Sequence, residues 1–404
     1  MQRNLYLFKT IFLIVLALQC TPSSKKGVEQ ISAQSLQINE TETPAGINDV
    51  VTFLSGRNSE TGNEIKPFLE SAAYQRYKKT VRSTWANFEK RHISAMADFK
   101  ASEKLATPKT LFYPFSGPDV THPLTLFKET ENFIMFGLEP VGEIPDPVKG
   151  KVANEVAKLP VLYNAVADVL HRNFFKTNDM RVDIKNKGYA GITGILLFFL
   201  GNLDATVTSV KYVDFGADGK FSDSTNRRCV QVQFKVPEIN QTKFIRYCSL
   251  DLSDAGIAAT PGAKEMLLNI DFQVTMLKAA SYLTYRPSFD TIRTLILQKS
   301  DAILTDSSGM PYRFIKDTTQ WNTTLYGNYI RPVPLFRERY QRDMATAYKN
   351  LKEKKPMNFY YGYHLAKGQA HLLYSVKEKT FTPIEIIFDG SNSKGENTAG
   401  SEYK

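Results

Sequence analysis

The sequence is poor in the residues from which metal and catalytic sites are usually built. It has only three cysteines and five histidines, and the histidines are scattered at His92, His122, His171, His364 and His371. Their spacings match no zinc-site pattern. The glycine-flanked nucleophilic serine, the phosphate-binding loop, the zinc-protease helix and the dinucleotide-binding glycine pattern are also missing. We therefore predict no metal and no cofactor, and we expect a binding protein more than an enzyme.

Long hydrophobic runs are missing as well. The apolar stretches at residues 11–18 and 194–200 are both well short of the ~20 residues that a membrane-spanning helix needs. The second stretch is predicted to be a buried core helix. Because no internal repeat and no linker rich in proline and glycine divides the chain, most of its 404 residues are predicted to form a single large domain.

The N-terminus has the pattern of an export signal that ends at a cysteine. Arg3 and Lys9 lie before the apolar run, and Cys20 follows that run almost immediately. This arrangement resembles the signal of a bacterial lipoprotein, in which the cysteine is acylated and becomes the first residue. Ala17 and Gln19 depart from the usual leucine and small residue at their positions. An ordinary cleaved secretory signal is the alternative.

The signal sets the expected domain organisation and location. We predict a signal peptide at residues 1–19, a palmitate-bearing Cys20 with a disordered tether at residues 20–49, a globular domain at residues 50–388 and a disordered tail at residues 389–404. Thr21 after the cysteine favours the outer membrane over the inner one. The excess of 51 basic over 41 acidic residues favours anionic envelope components as partners, whereas export argues against nucleic acid.

The two remaining cysteines are predicted to form a disulfide. Val230, Val232 and Phe234 alternate with polar residues, as do Ile245 and Tyr247 beyond a turn, which predicts a β-hairpin. Folding this hairpin about its midpoint places each residue i opposite residue 477 − i. Cys229 then faces Cys248 at a separation that suits a disulfide. Two buried free thiols are the alternative.

The rest of the chain predicts an α+β fold with a mixed, mainly antiparallel sheet and flanking helices. Helices are predicted at residues 68–101, 148–158, 161–175, 288–298 and 335–352. Strands are predicted at residues 110–115, 132–136, 207–215, 230–236, 244–250, 274–283, 359–363 and 371–376, with short ones near Ile303, Tyr312 and Thr323. In the first helix, His92 is predicted to be a hydrogen-bonded core histidine.

The first two strands each end in a tight turn that contains an acid. One turn carries Ser116 and Asp119, and the other carries Glu139. If a helical crossover joins these strands they are parallel, and the three side chains meet at one sheet edge, where such sheets bind ligands. A hydrolase that uses Ser116, Asp119 and Glu139 is the enzymatic alternative. We favour the simpler interpretation, in which Ser116 and Asp119 cap a helix and Glu139 stabilises a turn.

These turns carry a resemblance to a known family. The motifs are Tyr-Pro-Phe-Ser-Gly-Pro-Asp at residues 113–119 and Phe-Gly-Leu-Glu-Pro-Val-Gly at residues 136–142, followed by the stretches at residues 306–313 and 325–329. In these motifs the chain resembles a group of bacterial exported proteins and lipoproteins over residues 85–364. The resemblance implies a family and no activity, because that group has no assigned function.

Two further acidic turns are candidates for calcium loops. Residues 214–220 contain Asp214 and Asp218, and residues 306–309 begin with Asp306. Neither turn has the terminal bidentate acid that a calcium loop needs, so plain turns are predicted. The sequence as a whole predicts a membrane-anchored lipoprotein that binds a ligand or maintains the cell envelope.

Overall fold

A ten-stranded sheet forms the centre of the protein, and its strand order is β4-β3-β5-β6-β2-β1-β7-β8-β10-β9. The computed structural model describes residues 46 to 58, 61 to 175, 189, 191 to 364 and 368 to 378. The strands are Thr110–Tyr113 (β1), Asn132–Gly137 (β2), Thr206–Phe215 (β3), Phe221–Asp223 (β4), Cys229–Val236 (β5), Ile239–Ser249 (β6), Val274–Leu277 (β7), Ala302–Thr305 (β8), Trp321–Gly327 (β9) and His371–Lys377 (β10). The predicted signal peptide, Cys20 and the C-terminal tail lie outside the described residues.

The sheet has a parallel centre and antiparallel flanks. Strands β6, β2, β1, β7 and β8 run parallel to one another. The five remaining neighbouring pairs are antiparallel, three on one side of this centre and two on the other. Helices cover both faces. This confirms the predicted α+β class with a mixed, mainly antiparallel sheet in a single domain.

The α-helices pack on the two faces of the sheet. In the described part of the chain they are Ile47–Ser55 (α1), Lys66–Glu70 (α2), Ala72–Phe88 (α3), Ser94–Ser102 (α4), Thr121–Leu126 (α5), Val152–Arg172 (α6), Thr193–Asn202 (α7), Asp254–Ala259 (α8), Ala263–Asn269 (α9), Asp290–Lys299 (α10) and Arg342–Lys349 (α11). Helices α1 to α7 contribute to one hydrophobic core, and α8 to α11 contribute to the other. The central strands are buried on both faces, since β1, β7 and β8 have no exposed residue.

The long helix predicted from the aromatic stripe is present. It consists of α3, a π-helical segment at Glu89–Ile93 and α4, and its stripe from Tyr74 to Phe99 is buried. Helix α7 is buried along its whole length, as its sequence predicts. Helix α1 begins at Ile47, which lies inside the segment assigned to the tether. None of the helices in the described ranges is both long and apolar enough to cross a membrane.

Some predicted elements differ from the structure. Residues 148–158 and 161–175 were predicted as two helices, but α6 is a single helix that continues through Pro160. Pro160 is on the exposed side, and its helix-breaking cost of ~3 kcal/mol is offset because Leu159 and Leu162 are both buried on the other side. The strand predicted near Tyr312 is a 3₁₀ turn, and residues 359–363 form no strand.

Two more predicted elements are shorter than expected. The helix predicted at residues 335–352 is a 3₁₀ segment at Pro334–Arg339 followed by α11. Strand β7 ends at Leu277, although a strand was predicted through residue 283. The reason is the backbone that follows, because Ala279, Ser281 and Tyr282 all have φ near +50° to +55°. Left-handed residues of this kind cannot continue a strand.

The hairpin of β5 and β6 confirms the predicted disulfide and its register. Cys229 is paired with Cys248, Val230 with Tyr247 and Val232 with Ile245. The two sulfurs are bonded, with the Cα atoms 4.1 Å apart. The disulfide lies in the core that α8 to α11 cover, whereas Val230 and Val232 lie in the other core.

A buried polar cluster at the carboxyl ends of the parallel strands

The parallel strands β2, β1, β7 and β8 all deliver the chain to the same edge of the sheet. The connection from β1 to β2 contains α5, which packs in one core, and that from β7 to β8 contains α10, which packs in the other. In the sheet, β2 lies on one side of β1 and β7 on the other, so the strand order changes direction at β1. Open sheets of this kind bind ligands at such a switch point, just outside the carboxyl ends of the strands.

The turn after β1 is fastened to the end of β2. The backbone N–H groups of Ser116 and Gly117 donate to the Phe136 carbonyl at 3.0 and 3.2 Å, and Ser116 Oγ donates to the same oxygen at 3.1 Å. The turn that carries Ser116 and Asp119 therefore lies beside the one that carries Glu139. This confirms the predicted convergence of the two turns at one sheet edge.

Asp119 is the centre of a buried hydrogen-bond network and is 1% exposed. Its Oδ1 accepts from Thr121 Oγ1 at 2.9 Å, and its Oδ2 accepts from the Tyr113 hydroxyl at 3.2 Å. His122 Nδ1 is 3.0 Å from each carboxylate oxygen. Lys278 Nζ, which arrives from the end of β7, is 2.6 Å from Oδ2. Both oxygens of this carboxylate are therefore fully occupied.

Lys278 neutralises Asp119. Burial would raise the pKa of the Asp119 carboxyl, but the contacts that His122 and Lys278 make with the carboxylate outweigh it and hold that pKa well below its usual range. Burial lowers the pKa of Lys278 and of His122, and the Asp119 carboxylate opposes this in both. Lys278 Nζ also donates to the Asn173 carbonyl at 2.6 Å and is 3.0 Å from His122 Nδ1. Two cations would repel at that distance, so the arrangement fits an Asp119–Lys278 ion pair beside a neutral imidazole.

Helix capping, the favoured interpretation of Ser116 and Asp119, is not what the structure shows. The N-cap of α5 is Val120, and it makes no side-chain capping bond. Ser116 Oγ bonds to β2, and the contact from the His122 N–H to Asp119 Oδ1 is long, at 3.5 Å. Asp119 serves the ion pair instead, because the charge of Lys278 would otherwise be buried without a partner.

Glu139 is also buried, at 3% exposure, but its surroundings are different. The Tyr247 hydroxyl is 3.0 Å from the Glu139 carbonyl and 3.2 Å from Oε2. Among the described residues no lysine, arginine or histidine lies within ion-pair distance of this carboxylate. Gly137 is required here, because a Cβ at this position would clash with the Glu139 carboxylate and the Tyr247 hydroxyl.

A small, partly open cavity lies between these turns. Its volume is about 130 Å³, and its lining includes Ser116, Asp119, Glu139 and Lys278. Aromatic rings from Phe115, Phe174, Phe175 and Tyr363 complete the wall. A cavity of ~150 Å³ holds a molecule of the size of benzene, so this one has room for a ligand of only a few heavy atoms.

Asp306, at the end of β8, is a third buried acid at this edge. Its Oδ1 accepts from Ser308 Oγ at 2.7 Å and from the Ser308 N–H at 3.3 Å. Its Oδ2 has no hydrogen-bond partner among the described residues. Burial raises the pKa of Asp306 to about 6, although Ser308 and Lys278 oppose the shift. The residues 306–309 form a turn as predicted, but the sequence did not indicate that its acid is buried.

Two further buried histidines are His92 and His371. His92 is buried as predicted, but its Nδ1 has no hydrogen-bond partner among the described residues, and burial lowers its pKa to about 3. His371 Nε2 accepts from the Ser307 N–H at 3.0 Å. In the described ranges no group of three or more histidine, cysteine or acidic side chains is placed to hold a metal ion. The turn after Asp214 is the β3–β4 hairpin that the sequence predicts.

Sequence reasoning missed Lys278 and His122. Lys278 was placed inside a strand that ends before it, and it lies 156 residues after His122. The usable signal is a lysine directly after the apolar run of a central strand, since a charged residue there emerges at the edge where ligands bind. For His122 the signal is local, since Asp119 lies three residues before it and would be within reach in a turn or a first helical turn.

Comparison with protein-family models, with curated proteins and with solved structures found no match to this chain. Its function must be argued from the site alone.

Proposed function

We propose that this protein is a bacterial lipoprotein, held by a lipid on Cys20 at the outer membrane, that binds a small organic cation in the cavity beside Glu139. The anchor is supported by the order of basic residues, apolar run and cysteine at the N-terminus. The Cys229–Cys248 disulfide is in keeping with an exported protein, because such bonds are rare in the cytosol.

The observation that carries the binding proposal is the Glu139 carboxylate, which has no cationic partner among the residues that the structure describes. A buried carboxylate without a cation is costly, and natural proteins usually pair it. Asp119, at the neighbouring strand end, has its lysine. The described part of the cavity wall therefore has two acids, Asp119 and Glu139, and one cation, Lys278. A cationic ligand would supply the missing partner of Glu139.

The aromatic part of the wall supports the same ligand class. Phe174 and Tyr363 meet edge to face, with ring centroids 5.0 Å apart, and Phe115 lies on the same wall. Aromatic faces attract ammonium groups, and sites for quaternary ammonium ligands combine such rings with an acid. The volume of about 130 Å³ limits the ligand to the size of choline or ethanolamine.

The hydrolase alternative has less support. Ser116 and Glu139 do line one cavity. However, Ser116 Oγ donates to a backbone carbonyl, and no described side chain is hydrogen-bonded to it as a base. Asp119 is occupied by four other side chains and is not available to activate a nucleophile. The geometry therefore favours binding over covalent chemistry.

The anchor is tested by the substitution Cys20→Ala. In the native bacterium, the wild-type chain is expected in the detergent phase of a phase-separation experiment, and the variant in the aqueous phase. Equal retention of both in the detergent phase would rule out lipidation at this residue. Cys20→Ser provides a second variant with the same expected result.

The ligand class is tested by calorimetric titration of the full-length chain in detergent. Choline and ethanolamine are the cationic probes, and 3,3-dimethylbutanol, a neutral molecule shaped like choline, is the control. We expect at least one cation to bind and the neutral molecule to bind at least tenfold more weakly. Binding of neither cation, or turnover of an ester in a general hydrolase panel, would contradict the proposal.

A further inference from the structure

A second cavity lies at the opposite edge of the parallel strands. Its volume is about 470 Å³, within the ~300–1,000 Å³ that is typical of small-molecule sites. Thr110 and Asn132, the first residues of β1 and β2, form part of its lining. Helix α9 and the hairpin end at Phe221 form the remaining walls. This cavity is separate from the one beside Glu139, which lies at the other ends of the same strands.

Arg246 is the central cation of this second cavity. It stands on β6 opposite Ile134, and its Nε donates to Gln231 Oε1 at 2.7 Å. Its guanidinium lies over the ring of Phe221, 5.3 Å from the centroid. Among the described residues no carboxylate lies within ion-pair distance of it. The side chain is therefore held in place while its charge is left without an anionic partner.

The charge of the rest of the lining has the same sign. Lys109 and Lys220 are exposed at the cavity, whereas Asp271 is its only acid in the described structure. A half-buried guanidinium is well suited to bind carboxylate or phosphate, because its planar N–H groups match two oxygens at once. The lysines add attraction at longer range.

The uncharged lining indicates what else the ligand carries. Thr110, Asn132 and Asn269 provide a hydroxyl and two amides, which hydrogen-bond to hydroxyl groups. Ile134, Met266 and Ile270 provide an apolar surface. Such a mixture fits a sugar ring, which has polar edges and apolar faces.

We infer that this cavity binds an anionic sugar, a ring with several hydroxyls and one carboxylate or phosphate. The site is independent of the proposed cation site, so either can fail without the other. Sugars of this kind belong to the anionic envelope components that the basic composition favours as partners.

The test is a calorimetric titration of the full-length chain in detergent with glucuronate, glucose 6-phosphate and glucose. We expect one or both anionic sugars to bind and glucose to bind at least tenfold more weakly. Arg246→Gln should reduce the affinity of the anionic sugar at least tenfold, and Arg246→Lys less. Binding of glucuronate alone or of glucose 6-phosphate alone would identify the anion.

Two controls keep the test decisive. Arg342→Gln removes an exposed arginine outside the cavity and should leave affinity unchanged. If Arg246→Gln does not fold, the double variant Lys109→Gln with Lys220→Gln alters only exposed side chains and should weaken binding several-fold. Equal affinity for glucose, no binding of either anionic sugar, or no change in the cavity variants would overturn the inference.

Discussion

Asp119 and Glu139 are buried carboxylates at the ends of neighbouring parallel strands, yet their surroundings differ in kind. Asp119 forms an ion pair with Lys278 and hydrogen-bonds with Tyr113, Thr121 and His122. Glu139 has the Tyr247 hydroxyl and no cation in the described structure. The first carboxylate is satisfied by the fold itself. The described part of the fold supplies no cation to the second, and this difference distinguishes a structural acid from a candidate binding acid.

The largest expected effect of a substitution is at Asp119. Asp119→Ala should lower the free energy of unfolding by about 3–5 kcal/mol, because it leaves the charge of Lys278 buried without a partner. Urea denaturation of the full-length chain measures this. Asp98→Ala, which removes an exposed acid, should change stability by less than ~0.5 kcal/mol. A loss below ~1 kcal/mol for Asp119→Ala would mean that the two carboxylates do not differ as described.

The disulfide should have the next largest effect and should not affect the cation site. It joins residues 19 apart in the sequence, and closing a loop of this length stabilises a protein by roughly 3 kcal/mol in the chain-entropy model. Reduction should therefore lower the melting temperature by several degrees. Choline or ethanolamine affinity should persist below the new melting temperature. Two free thiols in the unreduced, unfolded protein would show that the bond does not form.

The raised pKa of Asp306 predicts that its contribution to stability depends on pH. Its pKa of about 6 in the folded protein lies above the ~3.9 of an unfolded aspartate, so the native state binds the proton more tightly. The contribution of Asp306 to stability should fall as the pH rises from about 4 to about 6 and then level off, a loss of ~2–3 kcal/mol. Buried His92, whose pKa is lowered to about 3, contributes in the opposite sense over the same range, so the effect of Asp306 is measured as the difference from a variant that lacks its carboxyl. Asp119 contributes in the opposite sense, because its lowered pKa makes stability fall as the pH drops through the ~3.9 of an unfolded aspartate.

Asp306→Asn is the matched variant for this prediction. It should be more stable than the wild type at pH 8 by up to ~2 kcal/mol and similar to it at pH 4, because the amide carries no charge to bury. Urea denaturation at the two pH values measures the difference. Equal stability of the two proteins at pH 8 would show that the Asp306 carboxylate is not penalised by burial.

How far the sequence could predict this site depends on how local each contact is. The hairpin register that joins Cys229 and Cys248 follows from alternation across a single turn, and the meeting of Ser116 with the Glu139 turn follows from one crossover. The Asp119–Lys278 pair joins two strand ends that are far apart in sequence. Predicting it requires knowing that β7 lies beside β1, and no local pattern gives that order.

Backbone conformation limited the prediction in a second way. The apolar sequence of residues 274–283 predicts one long strand. The strand ends at Leu277 because Ala279, Ser281 and Tyr282 have left-handed backbone conformations. This turn brings Lys278 to the cavity. Conversely, Pro160 suggested a helix end where burial of the neighbouring leucines maintains the helix. In both cases tertiary packing decided against the local preference of the chain.

The smallest expected change in stability, and the most direct test, is at Glu139. Glu139→Gln keeps the shape of the side chain and removes a buried charge, so the free energy of unfolding of the ligand-free protein should not fall. Glu143→Gln, which alters a nearby exposed acid, is the control. The measurement is calorimetric titration of choline and ethanolamine into the three proteins. We expect Glu139→Gln to weaken binding of the cation at least tenfold and Glu143→Gln to leave it unchanged, and equal affinity in all three proteins would contradict a cation site at Glu139.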